Sequence, residues 1–221
     1  MEQQRNSKCW YVSTCNDDCE RCTVYTQLKW QMDNSGLYES QQSPITLYIQ
    51  PNNEIDRETY KMLANVRQNI VDYTDAGTSF YICSDECGNG KTSWAIKLLQ
   101  SYLHHTAVGN YENLMGMFVS VPDLLIRLKD FKNPHSSKYR ENLENVNLVV
   151  FDDVAVTNGI SQFDYLQLFN VINNRMLAGK SCIFTSNVVG YDDLEGVLGQ
   201  RLASRIYRNC LILELKGTGV R

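Results

Sequence analysis

The sequence predicts an α/β fold, a parallel sheet flanked by helices, with a small cysteine-bearing unit ahead of it. Three observations carry that expectation. Short runs of consecutive apolar, β-prone residues recur, notably Ser79-Phe80-Tyr81-Ile82-Cys83, Leu148-Val149-Val150-Phe151 and Ser181-Cys182-Ile183-Phe184, and strands buried on both faces belong to parallel sheets. Segments with apolar residues at helical spacing alternate with them: Trp94, Ala95, Leu98, Leu99, Tyr102 and Leu103 after the first run, and Phe163, Leu166, Phe169, Ile172 and Met176 after the second. Four of the 8 cysteines crowd into residues 9–22, and residues 1–50 hold too little apolar material to fold alone, so metal binding would supply the missing stability. At 221 residues the chain accommodates one sizeable core and an appendage. The boundary is expected near residue 50, giving an N-terminal unit over 1–50 and the α/β domain over 51–221.

In order along the chain, Cys9, Cys15, Cys19 and Cys22 stand in a C-x5-C-x3-C-x2-C arrangement, followed by the strand-like Thr23-Val24-Tyr25-Thr26-Gln27-Leu28. The pair at 19 and 22 can present two thiolates from one tight turn. Cys9 and Cys15 complete a tetrahedral four-sulfur shell that suits Zn2+ and leaves no open position, so the site would be structural. Scattered reduced thiols or a redox pair are the alternatives. The stretch from Asn34-Ser35-Gly36 to Pro44 is polar and reads as loop or linker, and Tyr60, Leu63, Ala64 and Ile70 give residues 56–72 the apolar side of a helix. Cys83, Cys87, Cys182 and Cys210 fall in or beside buried strands and read as small apolar residues.

The charge balance narrows the classes. A net charge of −4 and a pI near 5.4 argue against a dominant nucleic-acid surface, while leaving room for a local basic patch. No apolar run is long enough to span a bilayer, and residues 1–8 are polar, so neither a membrane anchor nor a signal peptide is expected. The expected setting is the reducing cytoplasm.

The most specific segment is Asp85-Glu86-Cys87-Gly88-Asn89-Gly90-Lys91-Thr92, set between the first apolar strand and its helix. Gly88 and Gly90 let backbone N–H groups close around a polyphosphate at a helix N-terminus. Lys91 supplies a point charge for the β- and γ-phosphates, and the Thr92 hydroxyl is placed for Mg2+. Asn89 and Ser93 complete the expected nucleotide contacts. The usual pattern would put glycine where Asp85 stands; aspartate tolerates a left-handed backbone better than most residues, so the turn remains available.

The rest of an ATP site follows. The strand at 148–151 ends in Asp152 and Asp153; Asp152 would hold the Mg2+ shell, and Asp153 would polarise the attacking water. The strand at 181–184 leads into Thr185-Ser186-Asn187, where Asn187 is the candidate contact to the γ-phosphate or the lytic water, or else an ordinary turn residue. Gln200-Arg201-Leu202-Ala203-Ser204-Arg205-Ile206 reads as helical, with Arg201 and Arg205 on one face. An arginine from a neighbouring subunit can complete such a site; a solvated basic face is the alternative. Residues 121–131 read as a helix bearing Arg127 and Lys129. With Lys132 and a polar loop carrying His135, Lys138, Tyr139 and Arg140, they offer cations and an interleaved aromatic suited to phosphate contacts and base stacking; a solvated loop is the alternative.

Together Gly88-Asn89-Gly90-Lys91-Thr92, residues 148–153, Phe184-Thr185-Ser186-Asn187 and Arg201-Leu202-Ala203-Ser204-Arg205-Ile206 resemble the DnaC/DnaI-type helicase loaders, AAA+ ATPases related to DnaA and to IstB transposition ATPases. The resemblance covers roughly residues 55–221, and Gly90-Lys91-Thr92-Ser93-Trp94-Ala95 looks most like loaders of phages and mobile elements of Gram-positive bacteria. It implies an AAA+ sheet of the additional-strand class without a C-terminal helical lid. It also implies slow, assembly-stimulated hydrolysis of ATP with Mg2+, self-association through the ATPase domain, and Arg205 as the finger acting in trans, with Arg201 as the fallback. The partners implied are a DnaB-type hexameric helicase, gripped by residues 1–50, and single-stranded DNA. An IstB-like ATPase acting on duplex DNA, or an ATP-binding switch with little hydrolysis, are the competing readings. Asp153 departs from the family, where glutamate is frequent.

Overall fold

A computed structural model describes residues 22–43, 54–110, 113–129, 134–155 and 161–217. Five strands form one parallel sheet: β1 (Ser79–Cys83), β2 (Gly116–Ser120), β3 (Leu148–Asp152), β4 (Ser181–Ser186) and β5 (Cys210–Glu214), in the order β2-β3-β4-β1-β5. The helices are α1 (Thr23–Asn34), α2 (Glu39–Gln42), α3 (Glu54–Gln68), α4 (Ile70–Asp75), α5 (Lys91–Thr106), α6 (Val121–Leu128), α7 (Pro134–Asn145), α8 (Gln162–Leu177) and α9 (Tyr191–Asn209). The expected α/β class and its three apolar strands are all present. Every residue of β1 and β4 is buried, which is why these segments read as unbroken apolar runs.

Strand alternation divides the core between the two faces of the sheet. Phe80, Ile82, Phe118, Leu148, Val150 and Ile183 pack with Leu98, Leu99 and Leu103 of α5 and with Leu63 of α3. Tyr81, Met117, Val149, Phe151 and Phe184 pack on the other side with Leu124 of α6, Leu168 and Ile172 of α8, and Leu202 of α9. Arg175 of α8 is 1% exposed. Its guanidinium donates to the carbonyls of Leu143 (2.7 Å), Val146 (2.9 Å) and Ser181 (2.9 Å), fastening the end of α7 and the approach to β3 onto the start of β4.

The structure corrects the reading of the amino-terminal stretch. Residues 23–28 open helix α1 rather than a strand. Their β-branched residues favour extension, but Leu28 and Met32 share a face four residues apart and are buried in the α5 core, so tertiary burial overrides propensity. Gln31 is 0% exposed. Its Nε2 donates to the carbonyls of Asn110 (3.0 Å) and Asn113 (2.8 Å), and its Oε1 accepts from the Met115 amide (2.9 Å). The Phe118 amide of β2 donates to Ser35 O at 2.7 Å, covering part of the sheet's edge. Residues 22–43 thus pack against the same sheet as residues 54–217. Residues 44–53, which hold the expected domain boundary, lie outside the described residues.

Three further corrections follow. The segment carrying Lys138, Tyr139 and Arg140 is helix α7, not a polar loop. Cys87 is exposed, unlike the buried Cys83 and Cys182. Among the described residues Asp153, and not Asp85, is the one non-glycine with a positive φ, so the turn at Asp85 uses no left-handed backbone.

Candidate nucleotide site

The loop between β1 and α5 is shaped by its own side chains. Gly88 (φ 77°) and Gly90 (φ 95°) adopt left-handed backbone that side-chain-bearing residues avoid. Gly90 caps α5, so the loop's amides meet the positive end of a 16-residue helix. Buried Asn89 is the loop's brace: its Nδ2 donates to Ser84 Oγ and to the Leu215 carbonyl (3.3 Å), tying the loop to the end of β5. The Glu86 amide also donates to Ser84 Oγ at 3.1 Å. Asn89 therefore serves the loop's shape with its side chain, a role its place in the motif did not reveal.

Lys91 spans the loop, Nζ donating to Glu86 O (2.7 Å) and Asn89 Oδ1 (3.3 Å). Partial burial lowers its pKa, with Cys87 and Asp153 pulling the other way. Triphosphate oxygens would take the place of these two acceptors as charged partners for Nζ.

Thr92 and Asp152, expected together, do meet: Thr92 Oγ1 donates to Asp152 Oδ1 at 2.8 Å. Strand order explains why the contact is possible across the sheet. β4 lies between β1 and β3, so the loop after β1 and the acid after β3 open over the same carboxyl edge, two strands apart. The pair is all oxygen, with one hydroxyl and one carboxylate. That donor set fits Mg2+, which keeps several waters and takes further oxygens from substrate phosphates. Among the described residues no three His, Cys, Asp or Glu side chains cluster as a metal site.

β4 contributes a residue that sequence reasoning passed over. Thr185 Oγ1 donates to Asp152 Oδ1 (2.7 Å) and accepts from the Asp153 amide (2.9 Å). The Val154 amide donates to the Thr185 carbonyl at 2.9 Å. Asp153 stands at φ 61° in the turn that follows β3. Its carboxyl is pushed above the ordinary aspartate range, first by burial and then by Asp152, with Lys91 opposing. Asn187, the sequence candidate, follows the last residue of β4 and is exposed. Only the position of Thr185 one residue past a buried strand's last apolar side chain could have flagged it.

Arg201 and Arg205 lie on α9 and are exposed, and among the described residues neither forms an ion pair. α9 bends at Gly199 (φ 71°, ψ 155°), so these arginines belong to a segment aimed differently from residues 191–198. Cys22 caps α1, its Sγ accepting from the Tyr25 amide at 3.4 Å. Cys9, Cys15 and Cys19 lie outside the described residues, as do Lys132 and the His135 side chain. The described cations of the expected DNA patch all have protein partners. Lys129 pairs with Asp164 (3.0 Å) and Lys138 with Glu141 (3.2 Å), Arg140 meets Gln167 (3.2 Å), and Arg127 lies over the Tyr139 ring at 5.1 Å. One face of the Tyr139 ring is thus covered by Arg127.

No protein-family model matches the sequence, and no curated protein does. Solved structures do. A DnaC helicase loader matches with a TM-score of 0.61 and 22% identity over 76% of this chain and 93% of that one. A putative primosome component from Streptococcus pyogenes serotype M3 matches with 0.57 and 22% over 84% and 92%. AMPPCP-bound DnaA from Aquifex aeolicus matches with 0.55 and 21% over 76% of this chain and 51% of its own length. The sheet and its flanking helices are the AAA+ fold, as it occurs in these loader and initiator structures.

Proposed function

We propose that this chain is an ATP-dependent loader that binds a DnaB-type hexameric replicative helicase and helps place it on single-stranded DNA. The observation that supports it most is the join of Thr92 to Asp152 at 2.8 Å beneath the glycine loop, within a fold it shares with a DnaC helicase loader. In this reading the amides of residues 88–93 and Lys91 bind the β- and γ-phosphates of ATP. Thr92 and Asp152 hold Mg2+, which when bound neutralises charge on the phosphate oxygens.

Asp153 accepts the proton of the attacking water as its oxygen bonds to the γ-phosphorus and the bond to the β,γ-bridging oxygen breaks. Its raised pKa makes it a stronger base than an ordinary aspartate. Asn187 orients that water, and Arg205 of an adjacent subunit (with Arg201 as the fallback) meets the charge developing on the transferred phosphoryl group. Turnover is then slow until subunits assemble. The proposed helicase-docking unit lies within residues 1–50 and carries Zn2+ in a shell of Cys9, Cys15, Cys19 and Cys22; α1, although inside that range, packs with residues 51–221, the ATPase unit.

The test is a native mass measurement of this protein mixed with its host's replicative helicase, with and without ATP and Mg2+. The expected result is a complex whose stoichiometry changes with ATP. Absence of a complex in every nucleotide state removes the loader reading.

A further inference from the structure

We propose that Thr185 is the positioning residue that fixes both acids of the site, so that turnover, and not nucleotide binding, depends on its hydroxyl. The inference rests on the ATPase reading above and deepens it. Thr185 is 2% exposed and sits on β4, the strand interposed between the loop strand β1 and the acid strand β3. A hydroxyl has one donor and two acceptor lone pairs. Here the donor goes to Asp152 Oδ1 at 2.7 Å and one lone pair takes the Asp153 amide at 2.9 Å. The Thr185 carbonyl takes the Val154 amide at 2.9 Å. One residue therefore grips three consecutive positions where the chain leaves β3.

The grip falls where the ladder runs out. β3 and β4 are paired as far as Phe151 with Phe184, and Asp152 has β2's Ser120 as its ladder partner on the other side. Beyond that pair the Val154 amide still reaches the Thr185 carbonyl, but the Asp153 amide itself is held by the Thr185 hydroxyl, and its φ of 61° is a conformation a non-glycine residue keeps only when its surroundings impose it. The Thr185 hydroxyl supplies that constraint, and β-branching limits the rotamers from which it can do so.

The same carboxylate oxygen receives Thr92 from the loop side at 2.8 Å. Were Thr92 to ligate Mg2+ instead, the Thr185 hydroxyl would still hold Asp152 Oδ1. Asp153, as the proton acceptor, is the more sensitive of the two acids. A misplacement of about 1 Å at a reacting group costs on the order of 100-fold in rate.

Thr185→Val keeps the shape and branching but removes the donor and acceptor, whereas Thr185→Ser keeps both. For Thr185→Val the expected result is a kcat for ATP lowered about 10- to 100-fold, with ATP affinity by calorimetry within about threefold of wild type. Thr185→Ser should restore kcat to within about threefold. Backbone amide exchange followed by NMR gives a readout independent of catalysis. The Asp153 amide should be protected in wild type and Thr185→Ser, and should exchange at least about tenfold faster in Thr185→Val. Unchanged kcat and protection in Thr185→Val, or a Thr185→Ser variant as impaired as the valine, overturns the proposal. A wild-type protein that fails to hydrolyse ATP sinks the ATPase reading instead, and the exchange of the Asp153 amide still decides whether Thr185 sets the acid turn.

Discussion

Replacing Asp152 by asparagine separates what its carboxylate does for the fold from what it does for a metal ion. Asp152 Oδ1 accepts hydroxyls from Thr92 (2.8 Å) and Thr185 (2.7 Å). An asparagine oxygen in the same place still accepts both, so neither hydroxyl is orphaned. Two bonds to an ionised acceptor, about 1.5–3 kcal/mol each, become two neutral bonds of about 0.5–1.5 kcal/mol. The loss is partly offset because Asp153 no longer faces a second negative charge. The net cost is about 1–2 kcal/mol, or a fall in Tm of about 2–8 °C for a chain of this size.

Asp152→Ala leaves both hydroxyls without an acceptor, and each orphaned group costs about 1–3 kcal/mol more, so it should melt lower than the asparagine variant. Toward Mg2+ the two variants are alike, because neither offers an anionic oxygen. Calorimetric titration with ATP, with and without Mg2+, should show that the wild-type gain in affinity from Mg2+ is lost in both. If Asp152→Asn keeps that gain to within about threefold, the carboxylate does not hold the metal. If the two variants melt together, the Thr92 and Thr185 bonds contribute nothing to stability.

Other outcomes follow from the same geometry. Asp153 is held above the ordinary aspartate range, so it regains a proton at a higher pH than usual; the acid limb of the ATPase pH profile should lie correspondingly high and vanish with the residual activity of Asp153→Asn. The same shift means Asp153 contributes stability below the ordinary aspartate pKa that is lost as pH rises through its raised value, a slope that thermal melts of wild type and Asp153→Asn should resolve. Gly199→Ala should cost about 1–3 kcal/mol, seen as a lower Tm, because φ 71° with ψ 155° is essentially glycine-only backbone, while its added Cβ meets Tyr165 Oη only at 3.6 Å. Cys22→Ser keeps a cap for α1 but removes one thiolate of the proposed zinc shell, so its Tm should fall below that of wild type. Under the proposed zinc reading, the zinc released by denaturation and measured with a chelating dye should be lower for Cys22→Ser than for wild type, and equal content removes Cys22 from the shell.

The parts of the fold that were legible are those where burial leaves no ambiguity. β1, β3 and β4 are sunk in the sheet and read directly as apolar runs, and the polar residues at or beside their ends, Ser84, Asp152 and Thr185, all enter the site. α1 was misread because its core contacts are made partly by glutamines. Gln31 satisfies its amide on backbone groups around residues 110–115, and a polar residue in that role has no periodic signature. α7 looked like a loop because its polar composition hides Leu143, a buried side chain of the helix.

In the site, the glycine, lysine and aspartate positions follow from motif spacing. The work of Asn89, Thr185 and Arg175 does not, because each acts through backbone or side-chain partners distant in sequence. Asn89 reaches Leu215 across 126 positions, and Arg175 binds carbonyls from two other elements.

The rooting of α1 has a mechanical consequence. Cys22 begins a 12-residue helix, about 18 Å long, whose far end is hydrogen-bonded to edge strand β2 through Ser35 and whose middle is clamped by Gln31. Force applied just ahead of Cys22 therefore travels along a strut to the sheet's rim, beside Ser120 and its ladder partner Asp152.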